Sequence, residues 1–348
     1  MLSIHSNQRS SNVRENFRAR LYPNHGRIVF RVCILRFRLV FCSPDLSGGN
    51  SKGFTISPVD SAAMGLRTMT KADIPAGMRL KEIAGWNQTA ADWKRFLEAS
   101  PQGCFAAEHD GKICGTATTI SFENRFAWIG MILVDPEYRS QGIGTKLLEK
   151  AIEYLDDLRI SAIKLDATPQ GKPLYEKLQF VPEYEIERWT LRRSPAQMAK
   201  RSEFDAEEPL SPELLASIFE GDKESFGADR SFLLKSLHAD APEFTTGIWN
   251  ARVMEGYALG RRGSFADHLG PWMARNTVAA CNLLETFLAR SSREAVVVDS
   301  LKSNTVAGEL LMSFGFTYSR PLTRMYRGSN DYPGRPELLC AILGPEFG

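Results

Sequence analysis

The sequence predicts an α/β (α+β) protein made of two similar domains, and three observations carry that expectation. Between residues 66 and 191 the local patterns follow the order β-α-α-β-β-β-α-β-α-β. One stretch, Met131 to Leu155, joins an apolar strand to an amphipathic helix through a glycine-rich turn. Moving 136 residues along the chain then brings a second set of scaffold residues into register with the first.

A chain of 348 residues is long enough for two domains of common size. Its 43% hydrophobic and 24% charged content is that of a globular protein, and no run of eighteen apolar residues suggests a membrane span. The net charge of +2 hides an asymmetry: residues 1–60 hold eight Arg and one Lys against Glu15, Asp45 and Asp60. Arg31, Arg36 and Arg38 interrupt the apolar stretch from Ile28 to Cys42, which excludes a secretory core. An organellar presequence or a basic nucleic-acid arm fits the composition. The preferred expectation is that residues 1–63 form a basic, disordered extension with no chemistry of its own. The six cysteines and five histidines form no ligand-spaced cluster, so no metal site or disulfide framework is expected, and a reducing cytoplasm is the natural compartment.

The elements follow in order. Leu66 to Met69 reads as a strand, and Thr70 to Ile74 as a helix start whose helix breaks at Gly85. A second helix runs from Ala90 to Glu98. Phe105 to Glu108 and Lys112 to Ser121 flank an Asp110-Gly111 turn, a hairpin, and Phe126 to Val134 is a third strand. That strand should stop at Asp135-Pro136, since proline has no amide hydrogen to pair. Ile143, Leu147, Leu148, Ala151, Ile152 and Leu155 then mark one face of a helix. Ala162 to Asp166 is a strand, Leu174 to Leu178 a helical stretch, and Tyr184 to Leu191 is expected to close the sheet.

The glycines lie before the long helix and in its first turn, where amide hydrogens have no intrahelical partner and the macrodipole is positive. Bare backbone at Gly142 and Gly144 lets an anion reach those amides, and Arg139 adds a charge at the mouth. Strand, turn and helix start therefore make a pyrophosphate cradle. Leu147 occupies the third position of a dinucleotide fingerprint, and Thr145 separates Gly144 from Lys146, which spoils a phosphate-binding Gly-Lys-Thr loop.

What does fit is R-x-x-G-x-G, Arg139 to Gly144, after a strand ending Val134-Asp135-Pro136. This resembles the coenzyme A loop of the Gcn5-related N-acetyltransferases, the GNAT superfamily. The element order is the GNAT order as well, so the resemblance covers about 130 residues. It implies a mixed, mostly antiparallel twisted sheet flanked by helices, with acetyl-CoA as co-substrate. Pyrophosphate would rest on Ser140, Gln141, Gly142, Ile143, Gly144 and Thr145, and the pantetheine arm along Ile132, Leu133 and Val134. Pro173-Leu174-Tyr175-Glu176-Lys177-Leu178-Gln179-Phe180 looks like the end string of such domains. The family's thiolate-protonating tyrosine then falls on Tyr175, and a phenol with a pKa near 10 stays loaded at neutral pH. Gln179 replaces the family's usual glycine. The family often places a carboxylate base on the strand before the cradle, but Trp128 stands in that neighbourhood, so the base is left open. Trp86, Asn87 and Trp128 are expected to shape an acceptor pocket.

Arg192 to Pro212 is charged and proline-bearing, and residues 196–212 are expected to be a linker between domains 64–195 and 213–348. Beyond it, helices are expected from Ser211 and near Ser231 to His238, and strands over Glu243 to Trp249 and Arg252 to Gly260. The 136-residue shift places Arg139 on Arg275, Leu147 on Leu283, Leu148 on Leu284 and Phe180 on Phe316. It also places Gly142 on Val278, Gly144 on Ala280 and Tyr175 on Leu311. Scaffold positions are kept and chemical ones lost, which resembles tandem acyltransferases with a degenerate second domain. Tyr257, Arg261, Arg262, His268 and a Gly270-Pro271 turn are expected to cluster beside the acceptor, and Leu338 to Leu343 to form a last strand. The expected activity is direct acetyl transfer from acetyl-CoA to a small amine, without metal and without a membrane or nucleic-acid partner; homo-oligomerisation is left open. The alternative is a coenzyme A-binding sensor module.

Overall fold

A computed structural model describes residues 64–195 and 210–348, all within one compact unit. The expected extension over 1–63 and most of the expected linker lie outside the described residues. The first half runs β1 (Gly65–Thr68), α1 (Ile74–Ile83), α2 (Ala90–Ala99), β2 (Phe105–His109), β3 (Lys112–Phe122) and β4 (Phe126–Val134). It continues through α3 (Ile143–Asp157), β5 (Ala162–Ala167), α4 (Lys172–Lys177) and β6 (Val181–Arg192). The second half repeats the pattern: α5 (Pro212–Phe226), α6 (Ser231–Asp240), β7 (Thr246–Asn250), β8 (Val253–Arg262), β9 (Asp267–Ala274), α7 (Thr277–Arg290), β10 (Ala295–Leu301), α8 (Thr305–Ser313) and β11 (Thr317–Gly328). The expected last strand is β12 (Leu339–Ala341), seated between β10 and β9.

The local chemistry explains these boundaries. Thr89 caps α2 and Asp92 answers it with a capping box, while Ser211 caps α5 just ahead of Pro212. The face of α3 predicted from its period is the face that is buried: Ile143, Leu147, Leu148, Ala151, Ile152 and Leu155 pack over the first half's strands with Phe180 and Met325. The expected strand over Glu243 to Trp249 starts later, at Thr246, because Pro242 opens a single helical turn.

The halves share one twelve-stranded sheet, ordered β1-β2-β3-β4-β5-β11-β6-β10-β12-β9-β8-β7. This corrects the expected role of Tyr184 to Leu191. The strand β6 does not close its own half; it pairs antiparallel with β10 and β11, while β11 pairs antiparallel with β5. Each half has thus given its last strand to the other. Two arginines clasp the exchange. Arg188 of β6 meets Asp299 of β10 through two bonds of 2.7 Å, and Arg324 of β11 meets Asp166 of β5 through two of 2.9 Å. Both carboxylates are fully buried, and stripping one partner from such a pair costs on the order of 3–5 kcal/mol. The halves are therefore held as one body by charge as well as by strand pairing.

Candidate active site

The site opens where β4 and β5 part. They pair in parallel at Ala127–Ile163 and Trp128–Lys164 alone, whereas β4 stays paired with β3 as far as Val134–Gly115. Beyond Trp128 the β5-facing backbone edge of β4 has no partner strand. A bulge sits at the parting: the three residues Thr116 to Thr118 of β3 face the four residues Gly130 to Leu133 of β4. Met131 takes φ +50° there, and the Thr116 hydroxyl donates to its carbonyl at 2.9 Å. A cleft of about 840 Å³ fills the gap between the strands.

One end of the cleft is the start of α3. Gly142, at φ +79°, stands in the left-handed region and no side chain caps the helix. Ser140 at φ +63° turns the backbone just before it. Arg139 folds its Nε back onto the Val134 carbonyl at 3.1 Å and keeps its charge at the mouth. Arg79 bonds Asp135 at 2.6 Å and the Ile113 carbonyl at 2.7 Å, bracing the turn and holding the Asp135 carboxyl below the usual range. Ile132, Leu133, Val134, Arg139, Ser140, Gly142, Ile143, Gly144 and Thr145 all line the cleft; the Gln141 side chain is exposed beside it.

Tyr175 enters the same cleft from α4, its ring edge-on to Phe180 at 6.1 Å. Its hydroxyl has no hydrogen-bond partner among the described residues, and burial pushes the phenol up to about 12. A group so loaded at neutral pH can give a proton and does not spontaneously lose one.

The second half keeps the arginine, with Arg275 Nε on the Met254 carbonyl at 3.0 Å, but differs at the helix start and at the tyrosine. The α7 start is capped by Asn276, whose side chain accepts from the Ala279 amide at 2.9 Å. Val278, where Gly142 maps, is 70% exposed and covers the helix end with a branched side chain. Leu311, where Tyr175 maps, is fully buried in the core. Only one of the two helix starts keeps free amides for an anion.

The acceptor residues expected from sequence divide. Trp86 lines the cleft. Asn87 does not: its side chain accepts from the amides of Phe265 and Ala266, both 3.1 Å, and donates to the Ala266 carbonyl at 3.0 Å, tying the halves together. Trp128 is buried, its Nε1 donating to the Pro345 carbonyl at 2.9 Å with the Arg324 guanidinium stacked on its ring. Tyr257 donates to Asp222 at 2.7 Å, inside a buried Asp222–Arg230 pair. Arg261 is held by Asp92, Glu346 and His268 through its two terminal nitrogens. His268 accepts from Arg261 through Nδ1, so its proton sits on Nε2, 3.1 Å from Asp299. Burial pushes this imidazole below its ordinary value and keeps it neutral. Arg262 is on the exposed side with Glu243. Asn87, Trp128, Tyr257, Arg261 and His268 are thus buried in contacts within and between the halves, outside the lining of the cleft. The Gly270-Pro271 turn is also corrected: both residues lie within β9, opposite a register slip between Ala258 and Gly260.

Sequence reasoning missed the cleft's charged inner wall, formed by Asp166, Arg188, Arg320 and Glu346. Three of these come from β6, β11 and the segment after β12. Arg320 reaches this first-half cleft because β11 pairs with β5.

A parted pair of strands, a bulge, an uncapped glycine helix start and a protonated tyrosine meet in one cleft of a tandem α/β protein. Residues 77–180 match the Acetyltransferase (GNAT) family, and residues 218–341 match the Acetyltransferase (GNAT) domain. The chain belongs to the GNAT acetyltransferase family, with two such domains in tandem. It is 27% identical over 199 residues to the N-acetyltransferase YitH of Bacillus subtilis, 55% of this chain and 66% of that one. It is 23% identical over 266 residues to holothin acyltransferase of a Pseudoalteromonas species, 76% of this chain and 87% of that one. A solved structure from Pyrococcus horikoshii shares the fold at a TM-score of 0.67 and 24% identity, over 85% of this chain and 99% of that one. A GCN5-related N-acetyltransferase from Sphaerobacter thermophilus follows at 0.56 and 18%, over 78% and 96%. Among the described residues no helix is long and apolar enough to cross a membrane.

Proposed function

We propose that the first half transfers an acetyl group from acetyl-CoA directly to the amine of a small acceptor, and that the second half shapes the acceptor's side of the cleft. The carrying observation is the difference between the two helix starts: α3 offers free amides and a bare Gly142, α7 is closed by Asn276 and Val278. A diphosphate suits the α3 end, since the amides from Gln141 to Thr145, the helix dipole and Arg139 all favour negative charge there. The free edge of β4 can pair with an extended amide-bearing arm as an added strand. Its unpaired amides are also the donors available to a thioester carbonyl. Acetyl-CoA supplies the activated acyl group. Tyr175 gives the departing sulfur its proton, and holding both reactants in one cleft supplies much of the rate. No covalent attachment to the protein is required.

Incubation with acetyl-CoA and a panel of small primary amines should release free thiol in step with an acetylated product seen by mass. Tight acetyl-CoA binding with no product across a broad panel would instead favour a sensor module.

A further inference from the structure

We infer that the acceptor carries a carboxylate, and that Arg320 is the cation that receives it. The inference rests on the transfer proposed above and adds the class of acceptor. It comes from matching the charges that line the cleft. Asp166 is matched by Arg324, Arg188 by Asp299, and one oxygen of Glu346 by Arg261, which also serves Asp92; the other Glu346 oxygen takes no hydrogen bond among the described residues. Arg139 belongs to the mouth of the cradle, at the other end. Arg320 is left over: among the described residues no carboxylate lies within ion-pair distance of it, and it makes no hydrogen bond.

Its placement makes that surplus costly. Arg320 sits directly across the β6–β11 ladder from Arg188, so two guanidinium groups face the cleft from adjacent strands. It is half-buried; burial and then the Arg188 charge lower its pKa, against a smaller opposing pull from the Asp299 and Glu346 carboxylates, neither of which is within ion-pair distance of it. A cation held beside a like charge and partly out of water destabilises the fold unless an anion offsets it. Arg188 is already committed to Asp299, which leaves the planar fork of Arg320 free to take a carboxylate by two bonds.

The neighbours argue that this anion is the acceptor's. Arg320 shares its wall with Leu322, Pro345 and Glu346, groups brought by the exchanged strand and the last residues of the chain. The α3 cradle that suits a diphosphate is built from 139–145, on a different element. A carboxylate at Arg320 with an amine elsewhere on the same small molecule would place the amine within the cleft.

The test uses the full-length protein, acetyl-CoA, and matched acceptors: L-amino acids, their carboxamides, and the amines that lack the carboxyl group. The free acid should be preferred by about ten- to a hundredfold in kcat/KM, the value of a charge-assisted hydrogen-bonded pair. In Arg320→Ala and Arg320→Gln that preference should collapse through the acceptor KM, with acetyl-CoA affinity by calorimetry unchanged; Arg320→Lys should keep part of it. Wild-type protein that acetylates amines without regard to the carboxyl group would overturn this inference and leave the transfer standing. So would a preference that survives in both neutral variants. A parallel loss of acetyl-CoA affinity would assign Arg320 to the coenzyme and also overturn it. Wild-type protein that acetylates none of the amines would sink the transfer itself.

Discussion

Tyr175→Phe should lower kcat by at least about a hundredfold while leaving acetyl-CoA affinity where it was. The reasoning starts from what the hydroxyl touches. It lines the cleft, has no hydrogen-bond partner among the described residues, and burial pushes it up to about 12. Losing the oxygen therefore removes no bond that holds the fold. The ring stays, and with it the edge-on contact to Phe180 and the close approach of Gly171, whose added Cβ would lie 2.9 Å from the Tyr175 ring. What disappears is a proton for the departing sulfur. The sign of the pH dependence follows: a phenol at about 12 stays protonated from acid to mildly alkaline pH. This acid should contribute no fall in rate until the pH nears that value. A Tyr175→Phe protein that turns over normally would remove Tyr175 from the mechanism.

Gly142→Val should weaken acetyl-CoA binding by roughly tenfold or more, with a smaller effect on folding. Two physical terms add. At φ +79° a branched residue is strained by about 1–3 kcal/mol, and it relieves that strain by moving the amides it precedes. A Cβ added at this position meets no protein atom within 4 Å, so the new side chain starts out into the open mouth of the cradle. Gly142→Ala separates the terms, since it brings most of the strain without the branches. At the head of α7 the N-cap place that Gly142 holds in α3 is taken by Asn276, whose side chain accepts from the Ala279 amide, with Val278 exposed in the first turn. Calorimetry that finds equal affinity in wild type and Gly142→Val would contradict the cradle.

Much of the fold was legible because local signals and the long-range fold agree. The period of Ile143 to Leu155, the capping boxes and the prolines that begin α5 and end β4 all act within a few residues of themselves. The cradle was legible for the same reason, as it is one strand, one turn and one helix start. The strand exchange was not. Tyr184 to Leu191 alternates as any half-buried strand does, and nothing in that alternation says whether its neighbour is β5 or β10. The acceptor side went wrong with it. Asn87, Trp128, Tyr257, Arg261 and His268 are polar or aromatic residues, the composition of a pocket, but their partners are other protein groups: Asn87 holds Ala266, Trp128 the Pro345 carbonyl, Tyr257 Asp222, and Arg261 His268. Arg188 and Arg320 carried one visible signal: both are arginines within otherwise apolar or alternating strands. Only the register pairing them across β6 and β11 turns that into a site.

The account stands on a division of labour between two copies of one fold, in which a single helix start holds the carrier. A crystal structure of the protein with coenzyme A tests that most directly. The diphosphate should lie on the backbone amides of 141–145, with Tyr175 facing the sulfur across the gap between β4 and β5. A diphosphate found instead against 275–279 at the head of α7, with the α3 end bare, would contradict it.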